Sequence, residues 1–190
     1  MTFNFYMNKE IEARFLEVNK EELIQKLHAV GAIDKGEIHL SETIFYDTEN
    51  TWQNEGRYVR IRTSENDTTI TYKHNKDQTI DSATEIEFSV SDPKQAEIFL
   101  EHIGLAMFRR QEKKRHTFIL NGVTVDIDTW PKVPTYVEFE GPSEKAIQST
   151  AETIGFDWSK AVFDDARRII ETTYNIPVGT YKWFTFDRCE

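Results

Sequence analysis

The chain has a single cysteine, Cys189, so it has no second thiol for an intrachain disulfide or a Cys-rich zinc site. A reducing compartment is the matching expectation. Nowhere do roughly 18 apolar residues run together, and the opening MTFNFYMNKEIEARF has no basic start followed by an apolar stretch. The expected protein is soluble and cytoplasmic, with no membrane partner. Glycine and proline are sparse, at 8 and 5 of 190 residues, with no linker-like tract and no repeat at solenoid spacing. A single domain over residues 1–190 is expected, with a core over about 9–170 and an aromatic tail over 175–190.

Basic residues are also in the minority, 23 against 33 acids, for a net charge of −10. This balance argues against nucleic acid or an acidic membrane surface as a partner, because both reward clustered Lys and Arg. A small polyanion in a locally basic pocket remains compatible with it. The phosphate loop Gly-x-x-x-x-Gly-Lys-Ser/Thr, the Gly-x-Gly-x-x-Gly turn and any marked Ser or Cys nucleophile are missing too. The common routes of nucleotide handling are thereby excluded.

What is present is enough apolar and aromatic material for a packed core, 38% and 13% of residues. A strand is expected over Glu10–Val18, then a helix opened by Asn19 with Glu22 three residues on and closed at Gly31. Strands follow at Glu42–Tyr46, Arg57–Arg62, Thr68–Lys73 and Glu85–Val90. Asp92-Pro93 opens a helix ending near Gly104. Strands at Lys113–Leu120, Val123–Asp128 and Tyr136–Glu140 come next, the first two joined by an Asn121-Gly122 hairpin turn. Two further helices are expected, from Pro142-Ser143 to about Ile154 and over Lys160–Tyr174. The tail holding Tyr181, Trp183, Phe184 and Phe186 should pack on the body.

The strands share one rule. Residues two apart point to one face, so Glu10, Glu12 and Arg14 oppose Ile11, Ala13 and Phe15, and Arg60 and Arg62 oppose Val59 and Ile61. Thr71 and Lys73, Glu85 and Glu87, Lys113 and Arg115, Asp126 and Asp128, and Glu138 and Glu140 repeat the split. For one strand, a charged face washed by solvent is the ordinary explanation. Across the set, eight acids and six bases are kept in separate sub-clusters, with like charges roughly 7 Å apart along a strand. Such rows repel unless cations sit among the acids and anions among the bases, and a metal-bound polyphosphate supplies both. An α+β fold follows. In it a closed or nearly closed antiparallel β-barrel of about eight strands turns its charged faces inward, and helices are packed outside.

These residues resemble the CYTH superfamily, the triphosphate tunnel proteins that include class IV adenylyl cyclases, thiamine triphosphatases and inorganic triphosphatases. Glu10-Ile11-Glu12-Ala13-Arg14 is similar to the family's opening Glu-x-Glu-x-Lys/Arg signature. The likeness continues in family order through Phe45-Tyr46-Asp47, Arg60-Ile61-Arg62, Thr71-Tyr72-Lys73, Glu85-Ile86-Glu87, Lys113-Lys114-Arg115, the Asp128 strand and Val137-Glu138-Phe139-Glu140. The resemblance implies a tunnel in which Arg14, Arg60, Arg62, Lys73, Lys113 and Arg115 clamp phosphate. It assigns Glu10, Glu12, Glu138 and Glu140 to a divalent metal, with Asp128 a further ligand or water-orienting group; Asp126 matches less securely. Glu12, Asp128 and Glu138 are the catalytic candidates, while Glu85 and Glu87 support the cations or act directly. Carboxylates without Cys or paired His select Mg²⁺ or Mn²⁺. Arg14 departs from the Lys of many members, and with its very high pKa it suits holding phosphate rather than removing a proton.

The implied partner is a small-molecule triphosphate, and the leading expectation is its metal-dependent hydrolysis; cyclisation of ATP to cyclic AMP and a non-catalytic binding module are the alternatives. A homodimer stays open. Trp52, Trp130, Trp158 and Trp183 are expected as core or rim residues by default, with the tunnel mouth open as an alternative for Trp130, close to the Asp128 strand.

Overall fold

The computed structural model describes residues 8–49, 51–75 and 83–190. Along the chain lie β1 (Asn8–Glu10), β2 (Glu12–Phe15), α1 (Lys20–Ala29), β3 (Ile33–Asp47), α2 (Thr51–Asn54), β4 (Arg57–Thr63), β5 (Thr68–Asn75) and β6 (Ala83–Ser89). Then come α3 (Pro93–His102), β7 (Leu105–Leu120), β8 (Val123–Thr129), β9 (Tyr136–Glu140), α4 (Glu144–Thr153), α5 (Ala166–Thr172) and β10 (Trp183–Phe184).

The strands form one sheet in the order β1-β6-β5-β4-β3-β7-β8-β9-β2, with β10 added to β7. The first strand is broken at Ile11. Its front half pairs antiparallel with β6 and its back half antiparallel with β9, at opposite ends of that order. One run of chain therefore joins both edges, and the sheet curls into a nearly closed barrel of eight strands, counting β1 and β2 together. The expected continuous strand to Val18 instead stops at Phe15. Closing a sheet requires such an offset, because a straight strand cannot lie along both edges of a tilted wall.

The helices cover the outside. Asn19 caps α1 by accepting from the Glu22 amide at 3.0 Å, and Ser143 caps α4 by accepting from Ala146. Together they lay Leu23, Leu27, Ile147 and Ala151 over the outward Phe15, Val125, Ile127, Val137 and Phe139. Helix α3, opened by Asp92, buries Ala96 and Leu100 against Phe45, Val59, Ile61 and Ile70. A third cluster, Trp130, Val133, Tyr136, Ile170, Val178 and Phe184, ties α5 and the C-terminal segment to one end of the barrel. Among the described residues, no helix is long and apolar enough to cross a membrane.

Two expectations are corrected. Strands β3 and β7 are far longer than read, pairing from Ile33↔Ile119 to Asp47↔Leu105 with irregularities at Asp34/Glu37 and Ile44/Phe45. The first seven residues of β3 are solvent-exposed, so no buried apolar alternation marks them. The Lys160–Tyr174 helix shrinks to α5, preceded by a one-turn 3-10 segment at Trp158–Lys160. Val162 instead exchanges two backbone hydrogen bonds with Arg14, both at 2.9 Å, and Asp165 caps α5 by accepting from the Arg168 amide.

Candidate functional site

Because apolar faces meet the helices, period two turns the opposite faces inward, around a cavity of about 420 Å³. Twelve of the fourteen residues singled out in the sequence border it: Glu10, Glu12, Arg14, Arg60, Arg62, Lys73, Glu85, Glu87, Lys113, Arg115, Glu138 and Glu140. Asp126 and Asp128 share the inward face but lie deeper in the wall; Asp128 is 0% exposed.

The two signs are only partly segregated, since Arg14 on β2 sits among acids and Glu42 on β3 lies between the cationic strands β4 and β7. Arg60 and Arg62 on β4 and Lys113 and Arg115 on β7 form one side, and Glu10, Glu12, Glu138 and Glu140 on β1, β2 and β9 the other. Each cation is held by acid. Arg14 lies 2.9 Å from Glu12 and 2.6 Å from Glu138, and it donates to the Asp164 carbonyl at 2.8 Å. Lys73 is 2.5 Å from Glu10 and 3.0 Å from Glu85. Arg115 grips Asp128 in a two-pronged contact, 2.7 Å on each prong, and reaches Asp126 at 2.5 Å and Glu138 at 3.2 Å. Lys113 donates to Asp128 at 2.7 Å and sits 5.0 Å from the Trp130 ring centroid. In this arrangement Asp128 positions Lys113 and Arg115, and Trp130, 5% exposed, both packs in a core cluster and borders the cavity.

Burial sets the protonation landscape. It pushes the Lys113 ammonium down to about 8, assisted by the neighbouring Arg115 charge and opposed by Asp128. It pushes Glu10 up to about 8, opposed by Lys73 and reinforced by Glu85. Glu138 feels the same desolvation, but Arg14 and Arg115 outweigh it and hold the carboxyl well below the usual range. Arg14 is driven above the ordinary arginine value despite its burial, by Glu12 and Glu138, which removes it as a base.

The acids suit a hard cation in donor type. Glu12 stands directly opposite Glu140, and Glu140 forms no ion pair among the described residues. Its pKa is raised by burial and by Glu138 and Glu12. Oxygen donors that crowd one another without a cation fit a divalent ion. Among the described residues, no three His, Cys, Asp or Glu side chains are already gathered around one point. Arg14 stands between Glu12 and Glu138, and Lys73 between Glu10 and Glu85, so loading the site entails exchanging these ion pairs.

Several charged or polar side chains that line the cavity escaped the sequence reading. Glu42, 3% exposed, accepts from Arg62 Nε at 2.7 Å and from Gln111 Nε2 at 2.6 Å. Its strand alternates Glu42, Ile44 and Tyr46 inward against Thr43 and Phe45 outward, so charge does not mark the inner face. Arg109 and Gln111 also line the cavity, and stepping upstream by twos from Lys113 would have found them.

Glu42 carries a pH prediction. Burial alone would raise its pKa, but Arg62 and Arg60 reverse this and bring it below its usual 4.5. A carboxyl depressed by folding stabilises fully above its unfolded value and loses that contribution as pH falls towards the folded one. The stability gap between the wild type and Glu42→Gln, measured by urea unfolding, is therefore expected to be widest above pH 4.5 and to close as pH falls below it. A gap independent of pH would contradict the assignment.

The family model described as the CYTH domain matches residues 8–164. No curated protein matches the chain. The fold is similar to the PH1012 protein of Pyrococcus horikoshii, with TM-score 0.70 and 24% identity over 82% of this chain and 96% of that one. It is also similar to a putative adenylate cyclase of Vibrio parahaemolyticus, with TM-score 0.75 and 12% identity over 87% and 99%. A third relative in fold is a putative adenylyl cyclase of Hippeastrum described as having a dominant triphosphatase activity, with TM-score 0.62 and 12% identity over 87% and 96%.

Proposed function

The chain belongs to the CYTH domain family, and on that premise we propose that it is a divalent-metal-dependent hydrolase of a short triphosphate, either inorganic tripolyphosphate or an organic triphosphate. One observation carries the reading: six buried or half-buried cations and a facing set of carboxylates border a single cavity inside the barrel. Anion capture alone needs the cations and is weakened by the acids, whereas metal-assisted phosphoryl chemistry uses both.

The chain's own groups divide the work. Arg60, Arg62, Lys113 and Arg115 offer phosphate oxygens the N–H groups that face the cavity, the guanidiniums fixing orientation and the ammonium serving as a point charge. Asp128 and Glu42 keep these cations aimed when the ligand arrives, because each is buried against them. Glu10, Glu12, Glu138 and Glu140 would hold Mg²⁺ or Mn²⁺. Such an ion, when bound, neutralises developing charge on phosphate and acidifies water. Arg14 gives up Glu12 and Glu138 to the cation and turns to phosphate, without taking a proton.

Incubation of the purified protein with tripolyphosphate, ATP and thiamine triphosphate, with Mg²⁺ or Mn²⁺, tests the reading. Orthophosphate release is expected. Cyclic AMP with pyrophosphate would reassign the tunnel to adenylyl cyclisation, and turnover of none would leave a binding module.

A further inference from the structure

Each of the six cations foreseen in the tunnel has a carboxylate within 4.0 Å. Arg109 does not. It is 4% exposed, lines the cavity, and donates to Gln111 Oε1 at 2.7 Å and the Val178 carbonyl at 2.8 Å, with a further bond to Tyr46; the Glu171 carboxylate acts on it only from beyond ion-pair distance. The Arg167 guanidinium repels it from nearby; Arg167 also borders the cavity and donates to the Gln53 carbonyl at 3.3 Å, again without an ion pair among the described residues. Burying a guanidinium without a counter-charge is costly, and two in one end of a cavity compound the cost. Among the described residues, neither guanidinium has the carboxylate within 4.0 Å that each clamp cation has, although Asp165 borders the same end and Glu171 lies near Arg109.

The register places this charge beside the phosphate clamp. Ile44 on β3 pairs with Arg60 on one side and with Arg109 on the other. The two arginines thus stand at one level of the wall, their backbones roughly 10 Å apart, two strand spacings. The Nε of Arg60, like those of Arg14 and Arg57, is buried with no hydrogen-bond partner among the described residues, so the wall at this level has a donor to spare. Along β7, Arg109 precedes Lys113 by four residues, about 13 Å of strand. A chain of phosphoryl groups gripped by Lys113, Arg115 and Arg62 would therefore present its next group between Arg60 and Arg109.

Resting on the triphosphate reading of the tunnel, we infer that Arg109, backed by Arg167, is an anion subsite. It receives the phosphoryl group lying beyond the two held by the Arg62–Lys113–Arg115 clamp, and so selects a triphosphate chain over a diphosphate. The ligand group is a phosphate bearing at least one full negative charge. Arg167 comes from α5, outside residues 8–164 matched to the family, so this selection depends on the segment that follows the shared domain.

Calorimetric titration of pyrophosphate and of tripolyphosphate, each with Mg²⁺, into wild type, Arg109→Met, Arg109→Lys and Arg167→Gln provides the test. In Arg109→Met the preference for tripolyphosphate over pyrophosphate should fall by about tenfold or more, as expected for the loss of a buried charge contact. Pyrophosphate binding should change little. Arg109→Lys should recover part of the preference, and the half-buried Arg167→Gln should lower it by a smaller factor, which keeps the test open if Arg109→Met folds poorly. Equal weakening of both ligands, or an unchanged ratio in Arg109→Met and Arg167→Gln, would show that Arg109 merely fastens the Val178 carbonyl and overturn the inference alone. A wild type that binds neither anion would overturn the triphosphate reading together with it.

Discussion

Glu138→Gln is expected to reduce triphosphate turnover by about 10³-fold, the scale of losing a charge aimed at the reacting phosphate. Glu138 is 8% exposed, lies 2.6 Å from Arg14 and 3.2 Å from Arg115, and faces Arg14 across β2–β9 and Asp126 across β8–β9. The amide keeps the shape and removes the charge. A donor for the cation disappears, and Arg14 and Arg115 lose an acid that both share. Glu12→Gln removes the other acid on Arg14 and should act in the same direction. The assay is steady-state phosphate release at saturating Mg²⁺, with circular dichroism confirming that each variant is folded. Full activity in both variants would remove Glu12 and Glu138 from the site.

Asp128→Asn should fail differently, through the fold. The carboxylate is wholly buried and accepts three hydrogen bonds, one from Lys113 and two from Arg115. Its pKa is lowered because those two cations outweigh desolvation. Replacing it leaves two desolvated cations short of an acid, a change that costs roughly 3–5 kcal/mol. That is a large part of the about 5–15 kcal/mol that holds a typical domain folded. Adding Lys113→Met to Asp128→Asn should return part of the loss, because one stranded cation is then gone. Urea unfolding of the two single variants and the double variant gives the coupling. A loss below about 1 kcal/mol for Asp128→Asn would mean that solvent screens the pair as it does at a surface.

The tunnel was legible in the sequence to the extent that its wall obeys period two. Glu10 to Arg14, Arg60 and Arg62, and Glu138 and Glu140 announce themselves because charged inward positions alternate with apolar outward ones. Glu42 was harder to see for the opposite reason, and Arg109 only through its spacing of four from Lys113. Their inward neighbours include Ile44, Tyr46 and Gln111, so the charge alternation lapses along that part of β3 and β7. The caps at Asn19, Asp92 and Ser143 were readable because each places an oxygen against nearby amides in sequence. The break at Ile11 and the extended path of Val162 were not, since both answer to partners far along the chain.

That break has a consequence for how the molecule assembles. Residue 10 pairs with residue 83 and residue 12 with residue 140, so the first strand cannot be seated until nearly all other strands exist. Within the β3–β4–β5–β6 and β7–β8–β9 ribbons, strands adjacent in sequence pair, whereas the β2–β9 half of the seam, residue 12 on residue 140, demands the longest loop closure in the barrel. Folding should therefore end with insertion of residues 8–15. Until then β6 and β9 stand as two open edges able to recruit a strand from another copy. The seam that completes the phosphate tunnel is also the step at which a nascent chain is most exposed to domain swapping.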